Sequence, residues 1–283
     1  MATHEREFKA RTPDGELVGW LSEAPAERPN ALLLHGGPGM SDYLSTLADE
    51  LDGLVATARY QQRGLAPSVV NGDASIAGHV ADAVAVLDAL GWRKPVVIGH
   101  SWGGYLALQL AAAHLERIAA LVILDSLGAT GDGGVAEFGP ALRRGLSEEK
   151  IARLDELEAI ESPTEDEGRE HLGILWPNYF GEPANAPEMP FLRLAANAEQ
   201  TWESINAHFE ARTLERELPR VTAPTLVIAG SRSPIPLEQA RQMVALMPDA
   251  RLVVHEGKGH WAWLEEPGFV RRQVDGFLGD RQI

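Results

Sequence analysis

The sequence predicts an α/β fold: a mostly parallel sheet flanked by helices, with a helical segment inserted between two of its strands. Three observations carry that prediction. Short, continuous apolar runs at 31–34, 54–60, 95–98, 117–125 and 224–230 alternate with stretches of helical periodicity. Such runs suit strands covered on both faces, and strand–helix alternation joins them in parallel. One run passes without a loop into Gly99-His100-Ser101-Trp102-Gly103 and then into the helix-forming stretch 105–111. The alternation also stops after Asp125 and resumes at Pro224, which marks the insertion.

The elements follow in order. Residues 6–23 read as an antiparallel hairpin, because the Pro13-Asp14-Gly15 cluster supplies a tight turn. Strand 31–34 ends in His35-Gly36-Gly37-Pro38-Gly39, a rigid corner whose backbone N–H groups lie open to a ligand. Residues 41–51 are helical in pattern, 54–60 form the next strand, and Gln61-Gln62-Arg63-Gly64 closes it. Helix 75–90 has Ser75 as its N-cap and Gly91 as its stop.

After strand 117–125 the helical stretches 147–157, 165–176 and 195–214 are punctuated by prolines. A helical insertion at this point covers the strand ends and reads as a lid. The expected division is a core of 1–125 and 216–283 with a cap of 126–215. The core resumes with strand 224–230, helix 237–245, strand 250–254, a loop through 255–261 and a closing helix from Pro267. Ligands of such sheets bind beyond the carboxyl ends of the strands, where His35, Gln61, Ser101 and Asp125 all fall.

Composition narrows the function. The 41 acidic and 25 basic residues give a formal net charge of −16, which repels nucleic acid and anionic membrane surfaces. A small-molecule substrate is the expected partner. The chain has no cysteine, so disulfides, thiolate metal sites and a Cys nucleophile are excluded. No His/Asp/Glu cluster has ligand spacing, and neither a metal nor a cofactor is expected. The polar N-terminus lacks the apolar core of a signal peptide, and no run reaches the length of a membrane span. A cytoplasmic location is expected.

The run around position 100 carries the chemistry. A strand turns into a helix this abruptly only if the middle residue takes a strained backbone and its neighbours lack side chains. Gly99 and Gly103 supply that room and leave Ser101 exposed at the strand end as a nucleophile. The helix N-terminus beside it favours a developing oxyanion.

His35-Gly36-Gly37-Pro38-Gly39, Gly99-His100-Ser101-Trp102-Gly103-Gly104 and Gly259-His260-Trp261 leading into Leu264-Glu265-Glu266-Pro267 together resemble one family. It is the α/β-hydrolases, and within them the proline-iminopeptidase-like branch. The resemblance spans nearly the whole chain outside the lid. It implies Ser101 as nucleophile, His260 as general base, and the backbone N–H groups of Gly37 and Trp102 as the oxyanion hole. His35 is then a structural hydrogen-bonder, His100 points away from the reaction, and His255 is a poor second to His260.

Two positions depart from the family pattern. The acid that usually follows the strand at 225–229 is absent: Gly230-Ser231-Arg232-Ser233 puts Ser233 where Asp is expected. Asp125, at the end of the preceding strand, is the alternative acid, ahead of Glu238 or no acid at all; its other reading is a plain strand end capping the next turn. Gln61 also replaces the acid of Asp-Gln-Arg-Gly in the aminopeptidase branch, and Arg63 is expected to tie the strand-end loops together. The resulting reading is a cofactor-free serine hydrolase cleaving a small ester or amide through an acyl-enzyme. The alternatives are a non-hydrolytic enzyme (cyclase, lyase or acyl transferase) using the same Ser–His pair, an iminopeptidase on N-terminal proline, and a binding protein on a degenerate scaffold.

Overall fold

The computed structural model describes residues 5–194 and 198–283. Among them, nine strands form one sheet: β1 Arg6–Thr12, β2 Gly15–Ser22, β3 Asn30–Leu34, β4 Ala56–Tyr60, β5 Val69–Val70, β6 Val96–His100, β7 Ala120–Leu124, β8 Thr225–Gly230 and β9 Ala250–His255. The order is β1-β2-β4-β3-β6-β7-β8-β9, with β5 alongside β2. The predicted hairpin β1–β2 is antiparallel, as is β2–β4, and each pair from β4 through β3 to β9 is parallel.

Helices α1 Ser45–Glu50, α2 Ile76–Ala89 and α3 Trp102–Ala113 connect the strands as far as β7. Between β7 and β8 lie α4 Val135–Arg143, α5 Glu148–Glu158, α6 Glu165–Leu175, α7 Ala198–Glu210 and α8 Thr213–Glu217. Helix α9 Leu237–Leu246 joins β8 to β9, and α10 Ala262–Glu265 and α11 Phe269–Arg281 follow. No helix of the described residues is long and apolar enough to cross a membrane.

Successive strand residues point to opposite faces, so each apolar strand feeds two cores. Leu32, Leu34, Val97, Leu121 and Ile123 pack with residues of α2, α3 and α9. Ala31, Leu33, Ile98, Val122 and Leu124 pack with residues of α1 and α11. Ile205 and Phe209 of α7 join the first core, which seats the insertion on the sheet.

Several elements differ from expectation; β5 and α10 form where neither strand nor helix was expected. The helix expected over 41–51 starts at Ser45, because Asp42 is held in a turn: its carboxylate takes the Leu44 N–H at 3.1 Å and its own N–H goes to Gln61 Oε1 at 3.0 Å. The helix expected over 195–214 is two helices, broken where Arg212 takes a φ of +50°; its expected start at 195–197 lies outside the described residues. Helix α4 was not foreseen, because Gly131, Gly133 and Gly134 precede it and Pro140 interrupts it.

Candidate active site

Ser101 follows the last residue of β6 and precedes the first of α3, with φ +57° and ψ −124°. A non-glycine residue there stores about 1–3 kcal/mol of strain. The packing around it leaves no alternative. A Cβ on Gly99 would stand 2.2 Å from the Gly103 carbonyl oxygen, and one on Gly103 would stand 2.0 Å from that of Leu34. The Ser101 N–H donates to the Leu124 carbonyl at 2.9 Å, and the side chain makes no helix-capping bond. Its hydroxyl is therefore left to the cavity it borders.

The glycine turn lies against this elbow. A Cβ on Gly36 would stand 2.6 Å from the Ser101 Cβ, and Gly37 has φ +59°. The Gly37 and Trp102 residues both border the cavity. Trp102 opens α3, so its N–H has no acceptor within the helix. Gln62 locks the two pieces together: its amide donates to the His35 carbonyl at 2.8 Å, and its Oε1 accepts from the Trp102 indole at 2.9 Å. His35 is a hydrogen-bonder in this corner, accepting the Gln62 N–H at Nε2 and facing the Gly36 carbonyl with Nδ1.

His260 is buried in the loop after β9 and borders the same cavity. Its N–H donates to the Tyr179 carbonyl at 2.7 Å, and its carbonyl accepts the His100 Nε2–H at 2.9 Å. Donation from Nε2 leaves His100 Nδ1 as an acceptor, which the Tyr43 hydroxyl meets at 2.7 Å. The same hydroxyl accepts the Gly36 N–H at 2.7 Å. One chain of bonds thus joins the glycine turn, the residue before Ser101 and the histidine loop. Burial pushes the His100 pKa down to about 3, and burial together with the nearby His100 holds His260 well below the ordinary imidazole range.

The acid position is unusual. Ser233 Oγ lies 3.4 Å from His260 Nδ1. Asp125 makes no bond to His260 among those formed; it is buried, with φ +39°, and its Oδ1 accepts the Gly230 N–H at 3.0 Å. Burial pushes its carboxyl well above the usual range, against the Gly230 N–H and the Ser233 hydroxyl, which favour the charge. Glu238 is exposed on α9, where it meets Arg241 and Gln242. His255 pairs with Glu266 at 3.0 Å and stacks on Phe269. Gln61 uses both ends of its amide, donating to the Met40 carbonyl and accepting from the Asp42 N–H, and a carboxylate cannot donate there. Arg63 is structural, but it ties its loop to helix α2 rather than to another strand-end loop, gripping Asp82 at 2.7 and 2.8 Å.

The cavity has a volume of about 140 Å³. Its far wall comes from the segment between β7 and β8: Leu127, Phe138, Leu172, Trp176, Tyr179, Leu192 and Trp202. No Asp, Glu, Lys or Arg lines it among the described residues. A second pairing ties that segment to the glycine turn, with the Ser41 N–H donating to the Arg193 carbonyl at 2.9 Å. Among the described residues, no group of His, Asp and Glu side chains forms a metal site.

Two site-building residues escaped the sequence reading. Tyr43 sits in a stretch whose helical pattern hid it, and nothing local marks it. Glu265 accepts the Gly259 N–H at 2.6 Å and the Gly181 N–H at 2.9 Å, clamping the histidine loop to the inserted segment. Its only signal was its place in the Leu264–Pro267 run.

A family model described as the alpha/beta hydrolase fold matches residues 30–267. The chain is similar to esterase YbfF of Escherichia coli (strain K12), 28% identical over 88% of this chain and 92% of that protein. It is similar to 2-hydroxy-6-oxononadienedioate/2-hydroxy-6-oxononatrienedioate hydrolase of Paraburkholderia xenovorans (strain LB400), 26% identical over 98% of this chain and 96% of that one. The crystal structure of proline iminopeptidase from Mycobacterium smegmatis superposes with a TM-score of 0.70 at 25% identity, covering 97% and 98% of the two chains.

Proposed function

The chain belongs to the alpha/beta hydrolase fold family, and from that premise we propose a serine hydrolase that cleaves small, uncharged esters through an acyl-enzyme on Ser101. The single observation that carries this reading is that Ser101, on its strained elbow, and His260 border one uncharged cavity. Residues 126–215 act as the cap that closes it, supported by the seven wall residues they contribute.

In the reaction, His260 Nε2 takes the Ser101 hydroxyl proton as Oγ attacks the ester carbonyl carbon. The carbonyl oxygen, now negative, is met by the Gly37 and Trp102 N–H groups. Collapse breaks the bond to the leaving alcohol, which departs with the proton from His260. Water, deprotonated by the same imidazole, then attacks the acyl carbon, and Ser101 leaves with that proton. The apolar wall excludes bulk water and strengthens each of these electrostatic contacts.

The similarity to a proline iminopeptidase favours a second reading, cleavage after an N-terminal proline. That substrate brings a cationic α-amino group, whose burial needs a carboxylate partner. The uncharged cavity wall weighs against it.

The test is labelling with a fluorophosphonate, followed by rates on p-nitrophenyl esters and on prolyl-anilide. The expected result is a covalent adduct on Ser101, lost in Ser101→Ala, with esters turned over far faster than the anilide. An unlabelled Ser101 would sink the hydrolase reading, and a faster anilide would install the second.

A further inference from the structure

The proposed site contains a base and a nucleophile but no carboxylate in contact with the base. Instead, a hydroxyl stands between. Ser233 Oγ is 3.4 Å from His260 Nδ1 and also accepts the Ile235 N–H at 3.3 Å, which fixes its direction. Behind it, Asp125 spends Oδ1 on the Gly230 N–H, while Oδ2 is buried with no hydrogen bond formed. Gly230 joins the two residues, giving its N–H to Asp125 and taking the Ser233 N–H at its carbonyl at 3.2 Å, and the Ser233 hydroxyl favours the Asp125 charge. A buried carboxylate oxygen left without a partner is costly unless a neighbouring hydroxyl turns towards it.

We propose that Asp125 orients and charge-stabilises His260 through the Ser233 hydroxyl, a three-member relay replacing the direct acid–base contact. The inference rests on the reading of Ser101 and His260 as nucleophile and base.

The tautomers fit. For His260 Nε2 to accept the Ser101 proton, its Nδ1 must carry hydrogen and donate it to Ser233 Oγ. Ser233 then points its own hydrogen at Asp125 Oδ2. No proton moves along the relay: when Nε2 gains the Ser101 proton, Nδ1–H and Oγ–H stay in place, and the carboxylate stabilises the imidazolium one bond removed. The ionised carboxylate is the working form. Burial opposes its charge most, and Glu265 adds to that; the Gly230 N–H and the Ser233 hydroxyl facing it favour the charge. The 3.4 Å separation is long for such a bond, and catalytic bonds of this kind shorten when substrate is bound.

Asp125 and Ser233 are positioning residues, and a double-mutant cycle on the full chain tests them. Asp125→Asn keeps an oxygen for the Gly230 N–H, and thermal melts verify that the variants are folded. In the relay, Asp125→Asn and Ser233→Ala each lower kcat for p-nitrophenyl acetate by about 10²-fold or more with KM little changed. The double variant is no slower than the slower single one, because both break the same chain. Ser233→Asp supplies the missing acid directly, and in that background the loss caused by Asp125→Asn shrinks at least tenfold. The relay is overturned if Asp125→Asn keeps wild-type kcat, if the two losses multiply, or if the loss persists undiminished beside Ser233→Asp. Fluorophosphonate labelling of the wild-type Ser101 is scored separately, so a failure of the underlying hydrolase reading is distinguishable from a failure of the relay.

Discussion

His100 and His260 stand with ring centroids 4.5 Å apart, and the Nε2–H of the first donates to the backbone carbonyl of the second at 2.9 Å. The bond is made by the residue immediately before Ser101. It holds the histidine loop against the elbow through backbone and leaves the His260 ring free for chemistry. Tyr43 fills the other nitrogen of His100, so the ring stays neutral and adds no cation beside His260.

Tyr43→Phe removes the hydroxyl that serves both Gly36 and His100. Two buried groups lose their partner, which costs about 1–3 kcal/mol of stability. The glycine turn and the histidine loop also lose their common anchor, and ester turnover drops by about 10- to 100-fold. Urea denaturation and initial rates measure the two effects. Wild-type turnover in this variant would mean the chain of bonds positions nothing.

The cavity size limits the acyl group. A dry protein cavity of about 150 Å³ holds a molecule of about benzene's size, so the ~140 Å³ cavity here admits acyl chains of comparable bulk. Across p-nitrophenyl esters, kcat/KM is expected to peak at short acyl chains and fall beyond about six carbons. Leu172→Ala enlarges the far wall and moves the peak to longer chains. A profile still rising at twelve carbons would contradict a closed cavity.

Folding stability should depend on pH through His79. Burial, with help from Arg63, holds its pKa at about 3. Its Nε2 faces the Thr201 hydroxyl at 3.3 Å, and that hydroxyl donates onward to the Ala74 carbonyl. In the unfolded chain the same ring titrates at about 6.5. Between these values the unfolded state binds more protons, so the stabilisation is complete above pH ~6.5 and is lost as pH falls towards 3. From pH 7 to 5 the wild type should lose about 2 kcal/mol more than His79→Gln. Guanidinium titrations at the two pH values measure it, and equal losses would count against a neutral buried His79.

Arg63→Leu tests the tie between the loop after β4 and helix α2. Asp82 is fully buried and meets two guanidinium nitrogens of Arg63. Removing the arginine leaves an uncompensated buried carboxylate, at a cost of about 3–5 kcal/mol. The denaturation midpoint should fall accordingly, and a loss below 1 kcal/mol would show that the pair is replaceable.

Much of the fold was legible because its signals are local. The buried strands announced themselves as apolar runs, and the glycines at 99 and 103 specified an elbow that no other residue fits. The Pro-Asp-Gly turn set the first hairpin, and the strand ends lined up Ser101, Gln61 and Asp125 without any tertiary knowledge. Helix limits were less legible where a side chain spends a backbone group outside the helix, as Asp42 does before α1. The same holds where a positive φ breaks a helical pattern, as at Arg212.

What only the tertiary structure decided is how distant residues meet. Tyr43, His100 and the His260 carbonyl are brought together across 57 and 160 positions, and no periodicity encodes such a contact. The absence of an acid at position 233 was plain in the sequence, but its consequence was not. Whether Asp125 can serve depends on which atom of which residue lies between it and His260, and that follows from how β7 and β8 lie side by side and turn at their ends. The sequence marked Ser101 because its strained backbone needs particular neighbours along the chain. The packing of two strand-end loops decided what stands behind His260, because that contact acts through space.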